Sequence, residues 1–147
     1  MSHTSTVKSI QIQSIPALRS AIEELSRSGI MCSLVEKAKP RSYFPDQVGM
    51  GVADYVIRLD QASYDIGLYK TDAGYEARTD FYGGSIERVL GTQASTPESQ
   101  EQARMGRLFQ MYGIHAATEA ARKKGHMVQR ISKPNGVIAL EISGPGL

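Results

Sequence analysis

The chain has 147 residues, 41% of them hydrophobic and 22% charged, with a net charge of +2. That is enough for one domain that buries about two thirds of its unfolded surface, so neither a metal nor a disulfide staple is required. The small net charge argues against nucleic acid or an anionic membrane as the main partner. Cys32 is the single cysteine, which excludes an internal disulfide and a thiolate metal cluster.

Thr6 to Gln13 reads as a first strand, followed by Pro16, a good early-helix residue. Ala17 to Ser28 carries Leu18, Ala21, Ile22 and Leu25 at helical spacing, and Gly29 is placed to end that helix. Ile30 to Glu36 is a second strand, with Cys32 expected as a small buried thiol. Ala38 to Val52, AKPRSYFPDQVGMGV, is a long loop in which Arg41, Tyr43 and Phe44 supply contact chemistry. A contact loop and a packed lid over the core are both open readings of it.

The most legible stretch is Ala53 to Gly84. Tyr55, Ile57 and Leu59, then Tyr64, Ile66 and Leu68, then Tyr75, Ala77, Thr79 and Phe81 each alternate with polar residues. This predicts three half-buried antiparallel strands joined by the loops Asp60–Ser63 and Thr71–Gly74. A one-residue slip would turn every apolar side chain to water, so the register is constrained. It sets Ile57 against Ile66, Tyr55 against Leu68, Leu68 against Ala77 and Ile66 against Thr79. On the reverse face Arg58 falls beside Asp65, Asp65 beside Asp80, and Gly67 between Val56 and Arg78. Adjacent carboxylates repel, and Arg58 and Arg78 are expected to offset that. One reading is a solvated ladder of ion pairs worth about 0–1 kcal/mol each. The other is a binding site for a polar or charged partner made by Arg58, Asp65, Arg78, Asp80, Tyr69 and Tyr82.

Ser85 to Gly91 predicts one helical turn with Ile86, Val89 and Leu90 inward, then a linker to Ser95. Thr96–Pro97 looks like a helix start. The helix is expected to run from Pro97 toward Lys124, with the stripe Met105, Leu108, Phe109, Tyr112, Ala116 and Ala120; its polar first half, with Gln100, Gln102 and Arg104, leaves fraying or a late start open. Gly113 is expected where the helix lies close on the sheet. Arg122, Lys123 and Lys124 suit the negative end of the helix dipole, so nucleic-acid binding is not expected of them. His126 to Ser132 and Val137 to Ser143 read as the last strands around Lys133–Gly136, with Ile131 paired to Ile138 and Met127 to Ile142. Ala21–Lys37 aligns without gaps to Ala117–Lys133, a weak repeat that either is coincidental or makes the fold pseudo-symmetric. The fold class that follows is α+β: one mostly antiparallel sheet of about seven strands, with two main helices on one face, in a single domain over 1–147.

No glycine-rich phosphate loop, GxxxxGK[ST] or GxSxG elbow is present. His115 lies beside the apolar stripe, where a satisfied core histidine is a commoner outcome than a base or ligand. His3, Tyr112 and His115 form a second polar set of interest. The opening has no basic-then-apolar secretory pattern and no run approaches the ~18 apolar residues of a membrane span, so a cytoplasmic protein is expected.

Four blocks occur in order: MSHTSTVKSI, ADYVIRL with YDIGLY, YEARTDFYGG, and MGRLFQMYGIHAATEAARKKGHMV with NGVIALEI. Together they resemble an uncharacterised domain family of cyanobacteria and other bacteria, found also as a conserved open reading frame of red-algal plastids. The resemblance implies an α+β protein of the cytoplasm or plastid stroma, without established chemistry. It marks Ser2, His3, Asp54, Tyr64, Asp65, Asp80, Tyr112 and His115 as matching positions. Phe81–Tyr82 stands where that family commonly has two tryptophans, and Lys39–Gly51 and Gly91–Arg104 look longer than usual. The expected function is a non-enzymatic interaction or assembly module, with a protein partner or a second copy, that uses the open polar face of the sheet. No cofactor and no metal is expected in that case. The alternative is a small metal-binding protein or enzyme using Asp65, Asp80 and His115.

Overall fold

The computed structural model describes residues 4–43, 51–93, 100–134 and 138–144. Strands β1 (Thr4–Ile12), β2 (Cys32–Ala38), β3 (Ala53–Leu59), β4 (Ile66–Thr71) and β5 (Gly74–Asp80) form one antiparallel sheet in the order β1-β5-β4-β3-β2. Strands β6 (Met127–Ser132) and β7 (Ile138–Ser143) form a separate hairpin. The expected single seven-stranded sheet is therefore corrected to five strands plus two. The α+β class and the antiparallel pairing stand.

Helix α1 (Ile15–Arg27) starts where the Ser14 side chain accepts the Ala17 N–H at 3.1 Å, with Pro16 in the first turn. It ends as Ile30 N bonds back to Leu25 O at 3.0 Å, a reversal that Gly29 permits at φ +106°. Leu18, Ala21, Ile22 and Leu25 are buried as their spacing requires. They pack with Ile57, Leu59, Ile66, Leu68 and Ala77 from one face of the sheet, with Ile86 and Leu90 of α2 (Ser85–Leu90), and with Leu108, Phe109 and Tyr112 of α4 (Gly106–Lys123). Both main helices thus contribute to a core on the same face.

The central register is the expected one: Tyr55↔Leu68, Val56↔Gly67 and Ile57↔Ile66, then Ile66↔Thr79, Gly67↔Arg78 and Leu68↔Ala77. Thr79 is fully buried on the core face and satisfies its hydroxyl by donating to Asp65 O at 2.8 Å.

The long helix starts late, the open alternative for its polar first half. The Pro97 start lies outside the described residues, and a short α3 (Gln100–Ala103) precedes a break at Met105. Thr92 N donates to Ala103 O at 2.8 Å, and a Cβ on Gly106 would collide with the Thr92 side chain. The linker crosses there, so Gly106 is the glycine of close approach. Gly113 has open space around its Cβ position and does not lie against the sheet.

The β6–β7 register is also one residue off from that expected. Ile131 faces Ala139 and Met127 faces Ser143, while Val128 faces Ile142 and Arg130 faces Leu140. Ser132 pairs with Ile138, which makes the connection five residues rather than four. That slip turns Met127 outward, where it is 75% exposed. The repeat survives as local grammar: Gly29 and Gly125 both take positive φ after a helix and before a strand. It does not produce one symmetric sheet, because β2 pairs with β3 while β6 pairs with β7 alone among the described residues. No helix among the described residues is long and apolar enough to cross a membrane.

Candidate functional site

The reverse face of the central strands is built around Asp65 and Asp80. The register that ends at Ile66↔Thr79 brings these residues together at the ends of β4 and β5. Asp65 is 0% exposed and Asp80 is 2% exposed. Burying two carboxylates demands hydrogen bonds and opposite charge, and the chain that leaves β2 supplies them.

Arg41 folds across the face onto Asp65. Its main-chain N–H donates to Asp65 Oδ2 at 2.9 Å, its Nε to Oδ1 at 3.0 Å and its Nη2 to Oδ1 at 2.8 Å. In return Asp65 N donates to Arg41 O at 3.1 Å. The same guanidinium reaches Leu59 O at 2.7 Å and Ala62 O at 3.1 Å. Arg58 adds a longer contact to Asp65 Oδ2 at 3.4 Å. The hydrogen bonds that the guanidinium donates to Asp65 outweigh desolvation and hold the Arg41 pKa above its ordinary range.

Asp80 holds two tyrosines by their main chains. Tyr43 N donates to Oδ2 at 2.9 Å and Tyr82 N to Oδ1 at 2.9 Å. Their rings then meet with centroids 5.0 Å apart at a tilt of 58°. Both rings remain half open to solvent, Tyr43 at 49% and Tyr82 at 46%. The Tyr64 phenol is pushed up, first by desolvation and then by the charge of Asp80. Phe81 carries the Arg104 guanidinium 4.7 Å above its ring centre.

Pro40 is buried, and its ring sits where a Cβ on Gly67 would lie 3.2 Å away. Tyr69 lies over Gly67 as well and donates its hydroxyl to Gly51 O at 3.0 Å. The described ends of the long loop therefore pack on the sheet, as the lid reading requires. They lie on the reverse face rather than over the helix-side core, and they close much of a face expected to be open. Phe44 lies outside the described residues.

Arg78 engages other groups on the same face. It pairs with Glu76, its neighbour on the same strand face, at 2.6 Å and lies 4.4 Å over the Tyr69 ring centre. Arg41, which holds Asp65, was legible only as a loop residue with contact chemistry.

The second polar set is dispersed. His3 lies outside the described residues. The Tyr112 hydroxyl accepts from Gln13 N at 2.9 Å and Ser14 N at 3.1 Å, so it fastens α4 to the start of α1. Glu119 completes that joint by accepting from Ser14 Oγ at 3.0 Å. His115 Nε2 is 2.8 Å from Glu24 Oε1, and Arg130 Nη1 is 2.6 Å from Glu24 Oε2. Glu24 thus joins α1, α4 and β6, and its pKa is lowered chiefly by the Arg130 bond. An open groove of about 430 Å³ runs beside it, lined by Ser20, His115, Thr118 and Arg122 among others.

His115 belongs to the helix layer, whereas Asp65 and Asp80 lie across the sheet. The three residues do not converge. Among the described residues no group of three or more His, Cys, Asp or Glu is arranged to hold a metal ion. Cys32 is half-buried rather than fully buried, with its pKa raised first by desolvation. No family model, curated protein or solved structure matches this chain.

Proposed function

We propose that the chain is a non-enzymatic interaction module whose contact surface centres on Tyr43 and Tyr82 at the end of the sheet. The observation that carries this is the double use of Asp80. One buried carboxylate fixes the main chain of both tyrosines, so two half-exposed rings stand together in a set geometry. Large aromatic side chains ordered before contact lose little entropy on binding, and such residues dominate interface energetics. Arg104, partly exposed and stacked on Phe81 next to Tyr82 in the chain, adds a cationic group. A protein partner presenting an apolar or aromatic side chain beside an acidic one suits this surface.

We propose the cytoplasm, or the plastid stroma in plastid-bearing relatives, as its compartment. Membership of the cyanobacterial and plastid family is part of the same proposal and is supported by the four ordered sequence blocks. The test is affinity capture from the cells that make the protein, comparing the native chain with a Tyr43→Ser/Tyr82→Ser double variant. Light scattering on both forms measures self-association in parallel. Loss of the copurifying protein, or of the oligomer, from the folded double variant is expected. An unchanged set of partners and an unchanged mass would sink the reading.

A further inference from the structure

The edge of the main sheet at β2 is a separate surface. In an antiparallel pair, residues alternate between those that exchange hydrogen bonds with the partner and those whose N–H and C=O turn away. Asp60 N donates to Met31 O at 3.0 Å, one step beyond the pair Cys32↔Leu59. Ser33 and Val35 are therefore bonded to β3, while Cys32, Leu34 and Glu36 turn their main-chain groups to the free edge. Ser26 Oγ closes the Cys32 carbonyl at 2.8 Å. Among the described residues nothing takes the outward groups of Leu34 and Glu36.

Beside this edge runs a groove of about 270 Å³ between α1 and β2, lined by Arg19, Ile22, Glu23, Ser26, Cys32 and Leu34. Its floor is apolar. Its charges are already paired within the chain, Arg19 to Glu36 at 3.0 Å and Glu23 to Arg27 at 3.1 Å. An unpaired strand edge next to an apolar groove is the arrangement that accepts an added strand, with the main chain supplying affinity and the groove choosing side chains.

We propose that the β2 edge binds an extended, uncharged segment of a partner polypeptide, with an aliphatic side chain at every second position turned into the α1–β2 groove. The neutral rim disfavours nucleic acid and charged peptides alike. A second copy fits poorly. In antiparallel registers that match the outward groups, Glu36 of one copy meets Leu34, Cys32 or Glu36 of the other, which puts a carboxylate on the apolar floor or against its like.

The probe is a seven-residue peptide of alternating threonine and valine, blocked at both ends, added to the isotopically labelled full chain and followed by NMR. The amides of Leu34 and Glu36 are expected to shift and to exchange more slowly. Methylating the peptide nitrogens that face β2 should abolish these shifts, while methylating the alternate nitrogens should leave them. Glu36→Pro removes one outward N–H without touching the ladder to β3, a position where an edge strand tolerates proline. It should weaken the peptide about tenfold, the worth of one backbone hydrogen bond, and Glu36→Gln should bind as the native chain does. Silent Leu34 and Glu36 amides at millimolar peptide would overturn the proposal. So would equal binding of the two methylated peptides, native-like binding by folded Glu36→Pro, or dimerisation through β2 that excludes the peptide.

Discussion

The joint between Arg41 and Asp65 offers the sharpest energetic test. Arg41→Met leaves Asp65 fully buried, with only Arg58 and Leu59 N, both at 3.4 Å, beyond the retained main-chain N–H of residue 41. Removing one partner of a buried ion pair costs about 3–5 kcal/mol, because the remaining charge stays out of water. Arg41 is itself half-exposed, which places this pair at the lower end, about 3 kcal/mol. Asp65→Asn is milder. It removes the buried charge, and the guanidinium keeps Leu59 O and Ala62 O and can reach solvent. The amide NH2 must still face a donor, so a cost of about 2 kcal/mol is expected.

The double variant contains neither uncompensated charge. Its cost should be about 3 kcal/mol rather than the sum of the singles, a coupling of about 2 kcal/mol. Urea denaturation at neutral pH reads all three values. The Arg41→Met midpoint should also fall by about 6–12 °C, at roughly 2–4 °C per kcal/mol for a chain near this size. Additive singles, or singles each below about 1 kcal/mol, would refute the claim that the carboxylate is buried and held by this arginine.

Three further outcomes follow from the same geometry. Gly113→Ala should stabilise the chain by up to about 1 kcal/mol, since its Cβ meets open space and the helix gains propensity; Gly106→Ala should destabilise it by about 1–3 kcal/mol as the new Cβ displaces Thr92, and urea titration of the pair checks the contrast. Tyr112→Phe leaves Gln13 N and Ser14 N without their acceptor and should cost about 1–3 kcal/mol, with faster hydrogen exchange at both amides. The Glu24 pKa is depressed, so its contribution is present above the ordinary carboxyl pKa of 4.5 and is lost as pH falls through the lower folded value. Acid titration should therefore loosen the β6–β7 hairpin in that acidic range, and Glu24→Gln should remove the pH dependence of the hairpin amides' protection factors, taken relative to their intrinsic exchange rates.

The central register was readable because two independent constraints agreed. Apolar residues alternate on all three strands, and only one alignment keeps Ile57, Ile66 and Leu68 on the core side. The pairing of Gly67 with both Val56 and Arg78 followed from that alone. It also carried Asp65 to Arg58, the one ion pair of the site that strand periodicity could place. The β6–β7 hairpin had no such second constraint. Its strands are short and largely exposed, so apolar alternation bore little weight and the turn length decided the register. A turn of five rather than four residues reversed the faces, which is why Met127 points outward.

Arg41 could be read as a contact residue of the loop, but its partner could not, for a different reason. Periodicity ranks residues within a strand and says nothing of a chain that crosses the sheet from outside it. The usable clue was an imbalance of partners: Glu76 lies two residues before Arg78 on the same face and takes that guanidinium. Arg58 reaches Asp65 only at 3.4 Å, and burying two neighbouring carboxylates takes more than one distant cation. The nearest unassigned donors lay in Pro40–Tyr43, the segment that leaves the edge strand beside β3. The start of the loop, through Tyr43, is held on the sheet by the acids, and Tyr43 reaches Tyr82 because Asp80 holds the main chain of both. The aromatic pair thus depends on a buried charge that neither ring touches through its own hydroxyl in these bonds. Asp80→Asn should accordingly loosen the rings while leaving both tyrosines in the chain, separating the geometry of the patch from its composition.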